Sequence, residues 1–339
     1  MTASGTVLPS REVRGTGVRL TSLGYGAAQA GNLYRATTDA ETQEAVDAAW
    51  DAGVRYFDTA PHYGLGLSER RLGASLAGRP RDEYVVSTKA GRLLVPSPET
   101  AHETDPDIFD VPAATRREWD FSRDGVLRSL EASLERTGLD RVDVVYLHDP
   151  DDHEEQAFAE AVPALVELRD QGVVGAIGAG MNQSAMLARF VAEADVDVVM
   201  CAGRFTLLEQ PALADLLPAA VACGAAVVVA GVYNSGLLAR EVVPDDATYD
   251  YAPAPAALLD RTRRVAAACA DHGVTLPQAA LAYVRAHPAV ASTVVGLRTA
   301  DQVRQAVDRH AAVVPADLWT DLVGRGLLAP EAHPDAFAS

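Results

Sequence analysis

The feature that most limits what this chain can fold into is an alternation. Short apolar runs rich in β-branched residues are each followed by an amphipathic stretch with helical spacing, and the pair recurs eight times between residues 20 and 310. Candidate strands are 20–24, 54–57, 84–88, 142–147, 173–177, 196–200, 225–229 and 291–295. Candidate helices are 38–52, 68–76, 122–137, 154–171, 182–194, 207–223, 256–272, 277–287 and 299–310. Thr38 with Glu41 and Thr299 with Gln302 have capping-box spacing, Pro277 suits a first helical turn, and Pro211 and Pro218 interrupt the 207–223 stretch. Alternating strand and helix implies a parallel sheet, and eight such units in about 300 residues match the size of a (β/α)8 barrel. The rival α/β arrangement is a doubly wound open sheet, which would carry G-x-G-x-x-G after its first strand if it bound a dinucleotide. The nearest glycine cluster, Gly175, Gly178 and Gly180, has the wrong order, follows the fifth strand and reads as a tight strand-to-helix turn. We therefore expect an α/β chain with a single (β/α)8 barrel over residues 11–330, opened by a hairpin at 11–19, with 1–10 and 331–339 as flexible tails.

Two segments break the rhythm. Residues 91–121, rich in Pro, Asp and Glu and holding Phe109 and Trp119, are too long for an ordinary connection and read as a functional loop. Residues 241–255 form a second, shorter acidic insertion. The formal net charge of −18 argues against nucleic acid or an anionic membrane as partner. Cys201, Cys223 and Cys269 are widely spaced and apolar in context, which favours reduced thiols over disulfides or zinc. No apolar run is long enough to span a bilayer, and no signal-peptide pattern opens the chain. The expectation is a cytoplasmic monomer or small homo-oligomer acting on a small molecule.

Four residues sit where candidate strands end: Asp58 after Val54–Phe57, Tyr63 in the loop beyond it, Lys89 after Tyr84–Thr88 and His148 after Val142–Leu147. Parallel barrel strands present their C-terminal ends on one face, where barrel active sites lie, so the four can converge. A phenol with a pKa near ~10 exchanges protons poorly at neutral pH. A lysine ammonium beside it favours phenolate and lowers that pKa, and an aspartate holds the lysine. A histidine nearby can hydrogen-bond a substrate oxygen. The set suits proton transfer at a carbonyl or hydroxyl oxygen, and paired with a nicotinamide hydride it makes a carbonyl–alcohol oxidoreductase. Each residue alone has an ordinary reading, as cap, loop aromatic, solvated amine or core imidazole. His148, Asp149, Asp151, Asp152 and His153, with His62, could also suggest a zinc hydrolase, but they crowd one loop and read as solvated charges before a helix, so no metal is expected.

The run Asp58-Thr59-Ala60, Tyr63-Gly64, Ser68-Glu69, Leu72-Gly73, then Ser87-Thr88-Lys89 and Leu147-His148, resembles the signature of the aldo-keto reductase superfamily across about residues 11–313. The resemblance implies a (β/α)8 barrel that binds NAD(P) without a Rossmann fold, with Tyr63 as general acid/base, Lys89 and Asp58 tuning it, and His148 orienting substrate. Further stretches, among them Gly91–Leu94, Gly203–Gln210 and Tyr233–Leu238, resemble the bacterial aldose dehydrogenase branch, whose members oxidise sugars such as L-fucose or D-threo-aldoses, or act on pyridoxal. The alternatives kept are an NADPH-dependent carbonyl reductase and, in another class, a nucleotide-sensing subunit. Where many members carry Ser-Asn after strand five and Gln on strand six, this chain has Met181-Asn182 and Ala202, and near the stacking aromatic's place stands Ala230. By the resemblance, Asn182, Tyr233, Ser235, Gly236, Leu237, Gly296, Arg298 and Gln302 are the cofactor-binding candidates; substrate-binding candidates are His62, Trp119 and Phe109. NAD is favoured over NADP, because the lysine, serine and arginine places of NADP-selective members read Gly296, Leu297 and Gln302, and Asp301 would repel a phosphate; Arg298 is the counter-candidate.

Overall fold

The computed structural model describes residues 7–250 and 252–338; most of the expected N-terminal tail lies outside them. Eight parallel strands close into a barrel in chain order: β1 (Leu23–Gly26), β2 (Tyr56–Asp58), β3 (Val85–Ala90), β4 (Val144–His148), β5 (Ala176–Met181), β6 (Val198–Ala202), β7 (Ala226–Ala230) and β8 (Val290–Gly296). Helices pack outside. The strands read as continuous apolar runs because both faces are buried. Tyr56, Tyr146, Val198, Met200 and Val228 fill the interior, while Phe57, Val145, Ile177, Val199 and Val229 pack outward beneath the helices.

Helix ends follow local chemistry. Asp39–Asp51 is opened by the Thr38–Glu41 capping box. In Arg123–Thr137 the Ser122 hydroxyl accepts from Gly125 N at 3.0 Å, and Thr299 caps Ala300–Ala311. Such caps are each worth roughly 0.5–2 kcal/mol.

Several expected boundaries moved. Residues 19–21 pair with Ser10–Glu12 in the hairpin at the N-terminal side of the barrel, so β1 starts at Leu23 rather than Leu20. β3 runs through Lys89, expected just beyond the strand. The Gly178–Gly180 stretch is not a turn but the body of β5: a Cβ on Gly178 would lie 1.6 Å from the Val198 carbonyl oxygen, so only glycine lets β5 and β6 approach there. Pro218 does not interrupt a helix; it lies in the first turn of Leu216–Cys223, where its missing N–H is no loss. The 91–121 segment is not structureless. Arg92–Pro96 and Thr115–Trp119 form an antiparallel hairpin, and the stretch between them is anchored by Tyr34 N donating to Ile108 O at 2.8 Å and Asn32 Nδ2 to Asp110 O at 2.9 Å. Ala316–Gly324 is a helix the periodicity did not bring out. Where a flexible C-terminal tail was expected, the chain makes short 3₁₀ turns, and Phe337 packs on Tyr283 and His287. No helix among the described residues is long and apolar enough to cross a membrane.

Candidate active site

Parallel register puts Asp58 opposite Ser87, Lys89 opposite Tyr146 and His148 opposite Gly180, so the C-terminal residues of β2, β3 and β4 share one rim. The loop after β2 delivers Tyr63. It is held by the Thr59 and Ser68 hydroxyls, 2.8 Å apart, and by Ser68 Oγ donating to Ala27 O at 2.7 Å. Gly64, at φ 61°, lies so close to Gly31 that a Cβ would come within 2.1 Å of the Gly31 carbonyl oxygen.

Lys89 Nζ donates to both Asp58 oxygens, at 2.9 and 2.7 Å, and to Thr59 O at 2.9 Å. It lies 4.7 Å from the centre of the Tyr63 ring. Burial opposes the lysine's charge, but the Asp58 carboxylate and the Tyr63 phenol outweigh it and raise its pKa. Behind the pair, Ser87 Oγ donates to Asp58 Oδ1 at 2.7 Å and can accept from the Tyr56 hydroxyl, 3.1 Å away. The expectation of a lowered Tyr63 pKa is corrected: burial raises it by more than Lys89 lowers it, with Asp58 adding to the rise. The ligand-free site therefore holds a neutral phenol beside a buried ammonium.

The His148 and His62 rings lie 5.9 and 6.0 Å from the Tyr63 ring and 5.5 Å from each other. Both are neutral imidazoles: burial, then Arg92 and other nearby cations, lower the His148 pKa well below its ordinary value and bring His62 to about 2. Phe109 backs this group, buried, with its ring 5.2 Å from His62 and 6.1 Å from Tyr63. Trp119 is not against Tyr63. It is 42% exposed, its ring 4.2 Å from the Arg92 guanidinium, and with His62 and Arg117 it lines a cavity of about 710 Å³ under the insertion. The charged loop after β4 disperses among other partners: Asp149 pairs with Arg92, Asp151 accepts from Gln183, and His153 lies against Trp119. No cluster able to hold a metal exists among the described residues.

On the other side of Tyr63 a groove opens. A cavity of about 450 Å³ runs from Asp58 and Tyr63 past Asn182 and Ala202 to Tyr233, Ser235, Gly236 and Gly296. It shares Tyr233, Ser235, Gly236, Val295 and Gly296 with an outer cavity of about 760 Å³ that reaches Gln302. Of the cofactor-binding candidates, Asn182, Tyr233, Ser235, Gly236, Gly296 and Gln302 line this groove. Leu237 does not; it is buried in the core. Nor does Arg298, which is neither free nor solvated: its guanidinium is buried and donates to Leu33 O at 2.5 Å, to Arg35 O at 3.0 Å and to the Thr37 hydroxyl. Sequence reasoning missed Gln305 and Arg309, which line the outer cavity. They stand three and seven residues after Gln302, a helical spacing that could have found them. The groove suits an extended dinucleotide carrying an amide. Its two cavities share wall residues, and it holds two buried amide oxygens, Gln29 Oε1 and Asn234 Oδ1, with no partner among the described residues.

Residues 22–323 match the aldo/keto reductase family. The chain is 51% identical over 316 residues to D-threo-aldose 1-dehydrogenase from Pseudomonas sp, covering 92% of this chain and 96% of that protein. It is 37% identical to pyridoxal 4-dehydrogenase from Microbacterium luteolum, at 92% and 96% coverage. Among solved structures, the holo form of a Bacillus halodurans aldo-keto reductase superposes with a TM-score of 0.74 at 22% identity, covering 94% of this chain and 96% of that one. A Gluconobacter oxydans glycerol dehydrogenase also gives 0.74 at 22% identity, with 93% and 95% covered. At that identity the structural likeness speaks to the fold.

Proposed function

We propose, because this chain belongs to the aldo/keto reductase family, that it oxidises the anomeric carbon of a small neutral aldose. It is an oxidoreductase that works with a nicotinamide cofactor. The likeness to a D-threo-aldose 1-dehydrogenase supports an aldose. Neutrality of the substrate rests on one observation. Every arginine lining the insertion-side cavity already has a carboxylate: Arg92 has Asp149, Arg117 has Asp105 and Asp107, and Arg116 has Glu118. An anionic substrate would find no unmatched guanidinium there.

In this reading a nicotinamide cofactor bound in the groove would supply the acceptor for the hydride of the anomeric carbon. Tyr63 takes the proton of the anomeric hydroxyl, so a cyclic hemiacetal leaves as a lactone. Lys89 favours the phenolate that this step needs, and Asp58 keeps Lys89 charged and aimed. The neutral His148 orients the reacting oxygen by a hydrogen bond. Asn182, Gln29 and Asn234, which line the groove with Tyr233, would hold the carboxamide. Because burial keeps Tyr63 protonated near neutral pH, kcat/KM for oxidation is expected to rise between about pH 7 and 9. An oxidation rate flat across that range would remove Tyr63 as the base.

We assign NAD as the preferred cofactor. Leu297 is buried, Arg298 is committed to the 33–37 loop, and Asp301 pairs with Arg304. Arg309 and Arg240 line the outer cavity beside Gln302 and are the cations through which a preference for NADP would arise. The test is a panel of aldoses, pyridoxal and small aldehydes, each with NAD and NADP. Aldose oxidation with NAD should give the highest kcat/KM. A preference for NADP beyond about tenfold, ~1.4 kcal/mol, would overturn the cofactor assignment. Pyridoxal outperforming every aldose would overturn the substrate, and nucleotide binding without turnover would favour a sensing subunit.

A further inference from the structure

His62, whose ring lies 6.0 Å from that of Tyr63 and 5.5 Å from that of His148, has one ring nitrogen held by the insertion. Arg117, on the insertion hairpin, donates through Nε to His62 Nδ1 at 2.6 Å and through Nη2 to His62 O at 2.9 Å. Its Nη1 and Nη2 also donate to the two oxygens of Asp105, each at 2.7 Å, and the Asp105 side chain is 1% exposed. A guanidinium has only donors and does not lose its proton in proteins. Nδ1 must therefore present its lone pair, and the ring hydrogen must sit on Nε2. No described residue bonds to Nε2.

We infer that Arg117, locked by Asp105, is a positioning residue that fixes His62 as an obligate hydrogen-bond donor to a substrate oxygen beside the reacting carbon. The insertion would thus set specificity through the tautomer of a residue on the β2 loop, selecting substrates with an acceptor there, such as a sugar's ring oxygen or neighbouring hydroxyl. This deepens the aldose reading and rests on it. The charges around the ring leave the arrangement stable to acid. Arg117, Arg92 and Lys89 surround it, and each is matched by Asp105 with Asp107, Asp149 or Asp58. The nearest carboxylate, Asp107, stands 4.0 Å from Nδ1 and is already paired with Arg117; His148 and Tyr63 are the other titratable neighbours. Burial and those cations bring His62 to about 2.

The tautomer can be read without substrate. In the ligand-free full chain, nitrogen-15 spectra of the His62 ring, assigned by its loss in His62→Gln, should show unprotonated Nδ1 and protonated Nε2 unchanged between about pH 5 and 9. A proton on Nδ1, or titration within that range, overturns the inference whatever the enzyme turns out to oxidise. Activity supplies the second arm. Since Arg117→Met alone would strand a buried carboxylate, the variant is Arg117→Met with Asp105→Asn. With the best aldose of the panel it should raise KM and lower kcat/KM between about twofold and tenfold, the span of one neutral hydrogen bond, with kcat changed less. In a His62→Phe background the same pair of changes should have no further effect. An equal loss in that background would show that Arg117 acts through something other than His62. A panel without any active aldose would sink the functional reading while the spectra still judged the latch.

Discussion

Tyr63→Phe should slow turnover by ~10²–10⁴-fold in both directions, with cofactor affinity and unfolding midpoint close to those of the parent protein. The first figure is the usual worth of a placed proton donor. The second expectation comes from the geometry. Lys89 keeps its bonds to Asp58 and Thr59 O when the phenol oxygen is removed, so no buried charge loses its partner. The ring, packed on Phe109 and beside His148, stays. The measurement is steady-state kinetics for oxidation and reduction together with a denaturant titration. A variant within about threefold of wild-type kcat would remove Tyr63 as the acid/base and leave a neutral imidazole, His62 or His148, to be tested in its place.

Lys89→Met should damage both activity and stability, and the two losses should separate. Asp58 and Lys89 are almost wholly buried and bonded to one another at 2.7 Å. Taking away one member leaves an uncompensated carboxylate, a loss of about 3–5 kcal/mol, whereas replacing both with uncharged groups can be close to neutral. Lys89→Met combined with Asp58→Asn should therefore recover much of the lost stability. It should recover little of the lost rate, because the cation favouring the Tyr63 phenolate is still missing. Equilibrium unfolding and kcat/KM on the single and double variants check this. If the double variant regained near-wild-type activity, the pair would be structural and Tyr63 would need no cation beside it.

How far the sequence could be read depended on how local each determinant was. The strands appeared as apolar runs and the helix starts as Thr38–Glu41 and Thr299–Gln302, since those signals lie within a few residues. Asp58, Tyr63, Lys89 and His148 could be grouped because one rule, that parallel strands end on the same face, turns positions along the chain into positions in space. The boundary errors have equally local causes: residues 19–21 serve the hairpin instead of the barrel, and Gly178 belongs to a strand because its neighbour leaves no room for a side chain.

The partners of the arginines were a different matter. Arg298 reads alone as a phosphate ligand or a solvated loop cation, and its actual acceptor Arg35 O lies 263 positions away. Arg117 reads as one of a few charges in an acidic insertion, and His62 is 55 positions away. Nothing in either local pattern announces such contacts.

The sequence by itself determined the barrel, the rim on which the four polar side chains meet and the chemistry those types can perform, because periodicity and residue type are local properties that survive in one dimension. Only the tertiary structure decided which charges are matched, which nitrogen of His62 carries its proton and in which direction the Tyr63 pKa moves. Those depend on burial and on partners distant in the chain. Desolvation and charge pairing are set by what surrounds a group in space, and at Tyr63 burial outweighed the lysine that residue type alone would have favoured.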